Sequence, residues 1–366
     1  MKYLLLSTVI FLVILPAIAG SKTDILRGVK KIVFIGDSLT DGAAWPDWVI
    51  STLQTKRQYR KLVMYNAGVG GDTIGGIKSR LQRDVIDLQP DLVIMHAGTN
   101  DCNLNMDMTK YQQSYDDVVK ALRDKKIKVL LLTLPSVTSP EFDKQLYKMD
   151  DAMREVAKKY DCPVAEVHTA FTKAIADGKA CIGPDGCHHL IDGWRTMGTT
   201  VLQALGCDKP LIEKSNPYPG TVLDWYIGPA IAREGDKNPE PDLSPEFNPE
   251  KAGWRKYDAK EEQKKAEWWQ APSFDRGGIF IFGNPKREKN AGAFAYSIVK
   301  STRNRTTTMR IGGFKPYTVW LNDEKVLYGK TTLGVHPDID RMTVKLKKGD
   351  NRVIVYSCDM FYLSFD

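Results

Sequence analysis

Short, almost continuously apolar runs alternate with segments whose apolar residues recur every three or four positions, and this alternation leaves the first half of the chain few architectures. The runs are residues 31–35, 62–65, 92–96 and 129–134. Among the other segments, Ile77, Leu81, Val85 and Leu88 trace one apolar helix face. Tyr111, Tyr115, Val118 and Leu122 trace a second, and Leu146, Met149, Met153, Val156 and Tyr160 a third. A run without polar alternation suits a strand buried on both faces, so the pattern predicts a parallel sheet with helices on both sides. Ligands of such sheets bind at the carboxyl ends of the strands.

The pattern changes at residues 215–220, Ser-Asn-Pro-Tyr-Pro-Gly, a cluster of turn-formers through which no helix or strand runs. Beyond it, strand-like runs at 278–282, 318–322, 342–346 and 352–356 are punctuated by turns at Asn322-Asp323 and Lys348-Gly349-Asp350. This half reads as an antiparallel β-sandwich, with one charged stretch, 251–270, that has a helical reading. A chain of 366 residues is also about the length of two domains. The division predicted is an α/β domain at 27–210 and a smaller all-β domain at 218–366.

Residues 1–19 place Lys2 before an uncharged apolar run that ends in Ala17-Ile18-Ala19, the pattern of a secretory signal with its small-residue cleavage site. An uncleaved anchor is the alternative, and either way the catalytic part is expected to be exported, to a periplasm or the exterior. No stable membrane span is expected after cleavage. With 42% hydrophobic and 27% charged residues the chain is of the soluble globular type. Its excess of seven positive charges is spread along the sequence, which argues against a nucleic-acid partner. Six cysteines, at 102, 162, 181, 187, 207 and 358, are too sparse for a disulfide scaffold in place of a core.

Candidate chemistry sits where the strands end. The first run leads into Gly36-Asp37-Ser38-Leu39-Thr40, which puts a serine in a tight turn before a helix start, either as an exposed nucleophile or as a helix cap. The second leads into Gly68-Val69-Gly70-Gly71-Asp72, glycines that let main-chain N–H groups approach a ligand. The spacing fits neither a dinucleotide fingerprint nor a phosphate loop, and no cofactor is expected. The third ends in Gly98-Thr99-Asn100-Asp101, which offers a side-chain amide or simply a turn residue. Later, Gly183-Pro184-Asp185-Gly186-Cys187-His188-His189 holds a carboxylate three residues before a histidine in a loop. Zinc ligation by Cys181, Cys187, His188 and His189 matches no standard spacing, so no metal is expected. His96, His168 and His336 read as structural, and Trp45 and Trp48 as core.

Taken in order, Gly36-Asp37-Ser38-Leu39, Gly71, Gly98-Thr99-Asn100-Asp101 and Asp185-Gly186-Cys187-His188 resemble the four blocks of the SGNH/GDSL hydrolase family, over about residues 30–206. The resemblance implies a three-layer αβα sandwich of flavodoxin-like order, with Ser38 as nucleophile and His188 and Asp185 as base and orienting acid. Gly71 and Asn100 would join the Ser38 amide as an oxyanion hole. The family commonly has proline after the catalytic histidine, whereas this chain has His189, so the choice of His188 rests on its spacing from Asp185. A bond between Cys181 and Cys187, which bracket Asp185, would pin the acid and base and is a further expectation. The second half is similar, more loosely, to galactose-binding-type jelly rolls, on residues 225–229, 319–326 and 346–351; such domains are often structural.

The expected activity is carboxylic ester hydrolysis, most simply removal of O-acetyl groups from a polysaccharide or a small ester. A lipid or lysophospholipid esterase is the alternative within that chemistry. A non-catalytic glycan-binding protein is the alternative outside it.

Overall fold

The computed structural model describes residues 25–234, 237–265, 271–281, 291–313, 316–329 and 340–366. The expected leader at 1–19 and His336 lie outside the described residues. Strands β1 (Lys31–Gly36), β2 (Val63–Gly68), β3 (Leu92–Met95), β4 (Lys128–Leu132) and β5 (Val164–Ala165) form one sheet in the order β2-β1-β3-β4-β5, and every pair in it is parallel. Around it lie helices α1 (Ser38–Asp41), α2 (Trp45–Gln54), α3 (Ile74–Asp84), α4 (Thr99–Asn103), α5 (Met108–Asp124), α6 (Pro140–Lys159), α7 (Val167–Ala176) and α8 (Ile191–Ala204).

Successive strand residues face opposite sides, so each strand feeds two cores. Val33, Ile35, Val93, Met95, Val129 and Leu131 pack with Ile77 of α3, Tyr115 and Leu122 of α5 and Met153 of α6. Ile32, Phe34, Leu92, Ile94, Leu130 and Leu132 pack on the other face with Val49 of α2, Phe171 of α7 and Val201 of α8. Both faces are therefore covered, giving three layers, and each fully buried aliphatic side chain contributes about 1.5–3 kcal/mol. The strand order reverses at β1, and the ends of β1, β2 and β3 open the crevice in which such sheets bind ligands.

One helix differs from its sequence pattern. The apolar spacing runs on to Leu88, but α3 stops at Asp84 and residues Ile86–Leu88 form a tighter 3₁₀ turn. Gln89 then takes φ 51°, and Pro90 has no N–H with which to continue a helix.

The second half contains strands β6 (Tyr226–Ile227), β7 (Ile231–Ala232), β8 (Arg255–Lys256), β9 (Ile279–Phe280), β10 (Ala291–Ser301), β11 (Arg305–Gly313), β12 (Tyr317–Leu321), β13 (Glu324–Gly329), β14 (Asp340–Leu346), β15 (Gly349–Ser357) and β16 (Met360–Phe365). They make a sheet ordered β13-β12-β15-β10-β6-β8, with β7 also on β10, and a second ordered β14-β11-β16-β9, all antiparallel. Val319, Val353 and Val355 of the first meet Met309, Ile311, Phe361 and Leu363 of the second in one core, as in a β-sandwich. The expected turn at Asn322-Asp323 closes the β12–β13 hairpin, with both residues at positive φ (49° and 76°), as a two-residue turn of matching twist requires. Of the stretch 251–270, helix α9 covers Ala259–Gln263 and residues 266–270 lie outside the described residues. A further short helix, α10, spans Ala271–Asp275. Between the halves the chain runs along α2, where Ser51 Oγ donates to Lys214 O and Ile212 N to Thr52 Oγ1.

Candidate active site

Ser38 opens α1 directly beyond β1. A Cβ on Gly36 would lie 2.4 Å from Thr40 Oγ1 and 2.7 Å from His96 O, so the turn closes only with glycine. Asp37 caps the helix, its Oδ1 accepting from Leu39 N at 2.9 Å. A single helical turn cannot satisfy its own last carbonyls, and side chains supply the missing donors. Trp45 Nε1 donates to Leu39 O (2.8 Å), Asn66 Nδ2 to Thr40 O (2.8 Å), and Arg276 Nη1, from the β half, to Asp41 O (2.6 Å). Trp45 and Trp48 are buried, as expected.

His188 Nε2 lies 2.8 Å from Ser38 Oγ, and His188 Nδ1 lies 2.6 Å from Asp185 Oδ2. Serine, imidazole and carboxylate thus form one continuous hydrogen-bonded chain across 150 residues of sequence. Asp185 Oδ1 also accepts from the N–H groups of Cys187 (3.0 Å) and His188 (2.9 Å). Burial pushes the Asp185 carboxyl up, but those two donors and the His188 ring outweigh it and hold the group below its usual range. Thr138 N donates to Gly186 O (3.0 Å), and Gly186, at φ 79°, has no room for a Cβ beside Thr138 Oγ1. His189 turns the other way. It is buried, tilts against Phe171 with ring centroids 4.6 Å apart, and burial pushes its pKa down to about 3.

The Gly71 loop and the Asn100 turn are tied together by Asn100 Nδ2, which donates to Asp72 O at 2.9 Å. Gly71 has φ 78°. Asp101 accepts from Ile74 N with both oxygens (3.1 and 3.0 Å), anchoring the start of α3. A cavity of about 410 Å³ opens at Ser38, walled by Leu39, Asp41, Ala43, Gly70, His188 and Trp194 among others. Gly71 and Asn100 are not in that wall.

Three residues of this region escape the sequence reading. Arg80, buried on α3, donates to Ala67 O (2.6 Å) and Gly36 O (3.2 Å) and pairs with Asp72 (2.7 Å), joining the ends of β1 and β2. Its signal is legible in retrospect: it falls on the same helix face as Ile77 and Asp84. Asp41 lines the cavity, and burial pushes its carboxyl up to about 7 against the pull of Arg276, the Gly70 N–H and Arg80. Arg276 has no sequence signal.

The expected Cys181–Cys187 bond is not formed, and both thiols are free. Cys181 belongs to the core beneath α2, α7 and α8, whereas Cys187 packs against the core on the other face of the sheet. Hydrogen bonds pin the loop instead. His96 and His168 are buried beside carboxylates, His96 Nδ1 3.5 Å from Asp37 and His168 Nδ1 2.7 Å from Asp150.

The parallel sheet thus brings a serine, an imidazole and a carboxylate together at the mouth of a cavity, and residues 34–190 match the model of the GDSL-like Lipase/Acylhydrolase family. Over that stretch the chain carries a serine ester hydrolase domain similar to the SGNH/GDSL type. An acetylxylan esterase of Geobacillus stearothermophilus is 23% identical over 206 residues, 48% of this chain and 94% of the relative. An uncharacterized lipoprotein, YqeF, of Bacillus subtilis (strain 168) is 25% identical over 215 residues, 47% of this chain and 87% of the relative. Among solved structures, an α/β hydrolase enzyme from the metagenome of Lake Arreo, Spain, matches with TM-score 0.46 and 25% identity, over 50% of this chain and 97% of its own. The acetylxylan esterase structure from Geobacillus stearothermophilus matches with TM-score 0.43 and 20% identity, over 49% and 95%.

Proposed function

We propose that this chain is an exported esterase that removes O-acetyl groups from carbohydrate, with Ser38 as nucleophile, His188 as general base and Asp185 as the carboxylate that orients it. The observation that carries the reading is the unbroken Ser38–His188–Asp185 hydrogen-bond chain at the mouth of the cavity. His188 Nε2 takes the proton as Ser38 Oγ attacks the ester carbonyl, then returns it to the departing sugar hydroxyl. Water, deprotonated by the same nitrogen, releases the acyl group from Ser38 as the free acid. The main-chain N–H groups of Ser38 and Gly71 and the side-chain amide of Asn100 hold the oxyanion. Asn100 has two N–H bonds, and the one given to Asp72 O fixes the direction of the other.

The acetyl preference is supported by the acetylxylan esterase relative and by the apolar residues Leu39, Ala43 and Trp194 in the cavity wall. Export is supported by the leader pattern at 1–19, and among the described residues no helix is long and apolar enough to cross a membrane.

The test is hydrolysis of p-nitrophenyl acetate, butyrate and octanoate by the full chain and by Ser38→Ala, followed by acetate release from an acetylated oligosaccharide. Acetate is expected to be preferred, with kcat lost by on the order of 10⁶-fold in Ser38→Ala. Preference for octanoate would replace the carbohydrate reading with a lipid esterase, and turnover retained in Ser38→Ala would remove the nucleophile assignment.

A further inference from the structure

We propose that Arg276, supplied by the β half, is a positioning residue for ester hydrolysis: it holds the chain leaving the Ser38 turn and, through Asp41, the Gly70 end of the loop that carries Gly71. The inference rests on Ser38 being the nucleophile. It makes the second half of the molecule part of the catalytic apparatus, whatever else that half binds.

Arg276 follows α10, and its side chain, 2% exposed, reaches out of its own half into the other. Nε donates to Asp47 Oδ2 on α2 (2.7 Å), Nη1 to Asp41 O (2.6 Å) and Nη2 to Ala43 O. These acceptors follow from the shape of the nucleophile turn. Ser38 O is met by Gly42 N (3.1 Å), Leu39 O by Trp45 and Thr40 O by Asn66, all within the α/β half. The two side-chain bonds that complete the row, at Asp41 and Ala43, both come from Arg276. A planar guanidinium spreads five donors over three nitrogens in a rigid fork, which suits two carbonyls and a carboxylate set apart in space better than the compact head of an ammonium. A buried cation is costly without compensation, and Asp47 supplies it: burial opposes the charge on Arg276, and the Asp47 carboxylate beside it outweighs that.

The second link runs through the Asp41 side chain. Its carboxyl lies beside Gly70, with Oδ2 3.8 Å from where a Gly70 Cβ would stand, and both residues line the cavity beside Ser38. The charged groups facing it are Arg276, Arg80 and Asp37, with Asp185 and His188 also in the cavity wall. Burial pushes the Asp41 carboxyl up to about 7, with Arg276 the strongest influence pulling it down, so the arginine favours the anion beside Gly70. Asp41, Ala43 and Gly70 thereby connect one guanidinium to both loops that frame the reacting carbonyl. A bond made only to dock the two halves would not need to end on the carbonyls next to the nucleophile.

The experiment compares the full chain with Arg276→Met/Asp47→Asn, which removes both buried charges together, and with Arg276→Lys, which keeps the cation but shortens its reach. Rates on p-nitrophenyl acetate are normalised to folded protein by near-ultraviolet circular dichroism and measured as a function of pH. The double variant is expected to lose about 10- to 100-fold in kcat with KM little changed, since misplacing reacting groups by about an ångström costs that much. Its acid limb should move to higher pH, because losing the cation raises the Asp41 carboxyl further, and adding Asp41→Asn should abolish that movement. Arg276→Lys should stay folded, keep the acid limb close to that of the unaltered chain and recover part of kcat. Wild-type kcat per folded molecule in the double variant would overturn the proposal and leave Arg276 as a docking contact. Ser38→Ala retaining turnover would instead overturn the nucleophile assignment, a separate result.

Discussion

In the α/β half, buried polar side chains gather at one edge of the sheet, whereas the β half uses its most thoroughly bonded one to join strands and turns. Asn351 illustrates the second pattern. Its amide donates to Val299 O (3.2 Å), Lys347 O (2.9 Å) and Gly349 O (3.2 Å), while its Oδ1 accepts from Lys347 N and from Asn322 Nδ2 (2.9 Å each). All of this holds turns. Around Ser38 the pattern is different: the buried Asp37, Arg80, His96, Asp101 and His189 crowd together near the half-buried Asp41, and neither ring nitrogen of His189 has a hydrogen-bond partner among the described residues. Burial raises Asp41 to about 7 and Asp101 to about 6 and lowers His189 to about 3. Perturbed groups concentrate where local structure gives way to chemistry, and satisfied ones where the fold alone is served.

Three substitutions sharpen or break this contrast. The largest effect is expected from Asp185→Asn, which keeps the shape of the chain to Ser38 but favours the wrong imidazole tautomer. Its kcat should fall by about 10⁴-fold, with the thermal midpoint nearly unmoved. A loss confined to stability would instead make Asp185 a loop anchor.

Phe361→Ala reverses the emphasis. Phe361 is fully buried between the sheets and packs edge-on against Trp225, ring centroids 5.2 Å apart. Truncation should cost about 3–5 kcal/mol in denaturant unfolding, while kcat per folded molecule is kept. A fall in kcat among folded molecules would show that the β core itself transmits to the site.

The smallest effect is in pH dependence. Burial holds the Asp101 carboxyl at about 6, above the roughly 3.9 of an unfolded aspartate. Between those values the native state binds the proton more tightly, so the stability contribution of Asp101 is present at low pH and is lost as pH rises through about 4 to 6. Asp101→Asn keeps an acceptor for Ile74 N and should flatten that part of the stability profile. An unchanged slope from calorimetry across the window would assign it to the other raised carboxyls.

Legibility in the sequence follows how local each determinant is. The contact of Asp185 with His188 was readable because the two lie three positions apart in a loop that Gly183 and Gly186 keep out of regular structure. The parallel sheet was readable because each strand carries its own apolar run. Strand β10, Ala-Gly-Ala-Phe-Ala-Tyr in its first six residues, was not, since alanine and glycine carry little strand propensity. The Cys181–Cys187 expectation failed because proximity in sequence does not reveal that the two thiols fall on opposite faces of a sheet. Arg276 was beyond reach for the converse reason: its acceptors lie 229 to 235 residues away, and no periodicity links them.

Strand β16 has a consequence in time. It lies between β11 and β9, and Leu363 O accepts from Val222 N at 2.9 Å, so the opening residues of the β half pair with residues synthesised some 140 positions later. Domains fold as units behind the ribosome, N-terminal first. The α/β half can assemble while β16 is still unmade, with Ser38, Asp185 and His188 already present. The seat of Arg276 becomes firm only once β16 closes the second sheet. Maturation of this hydrolase would then wait for β16, and a nascent chain would carry Ser38 before the arginine that braces the turn behind it.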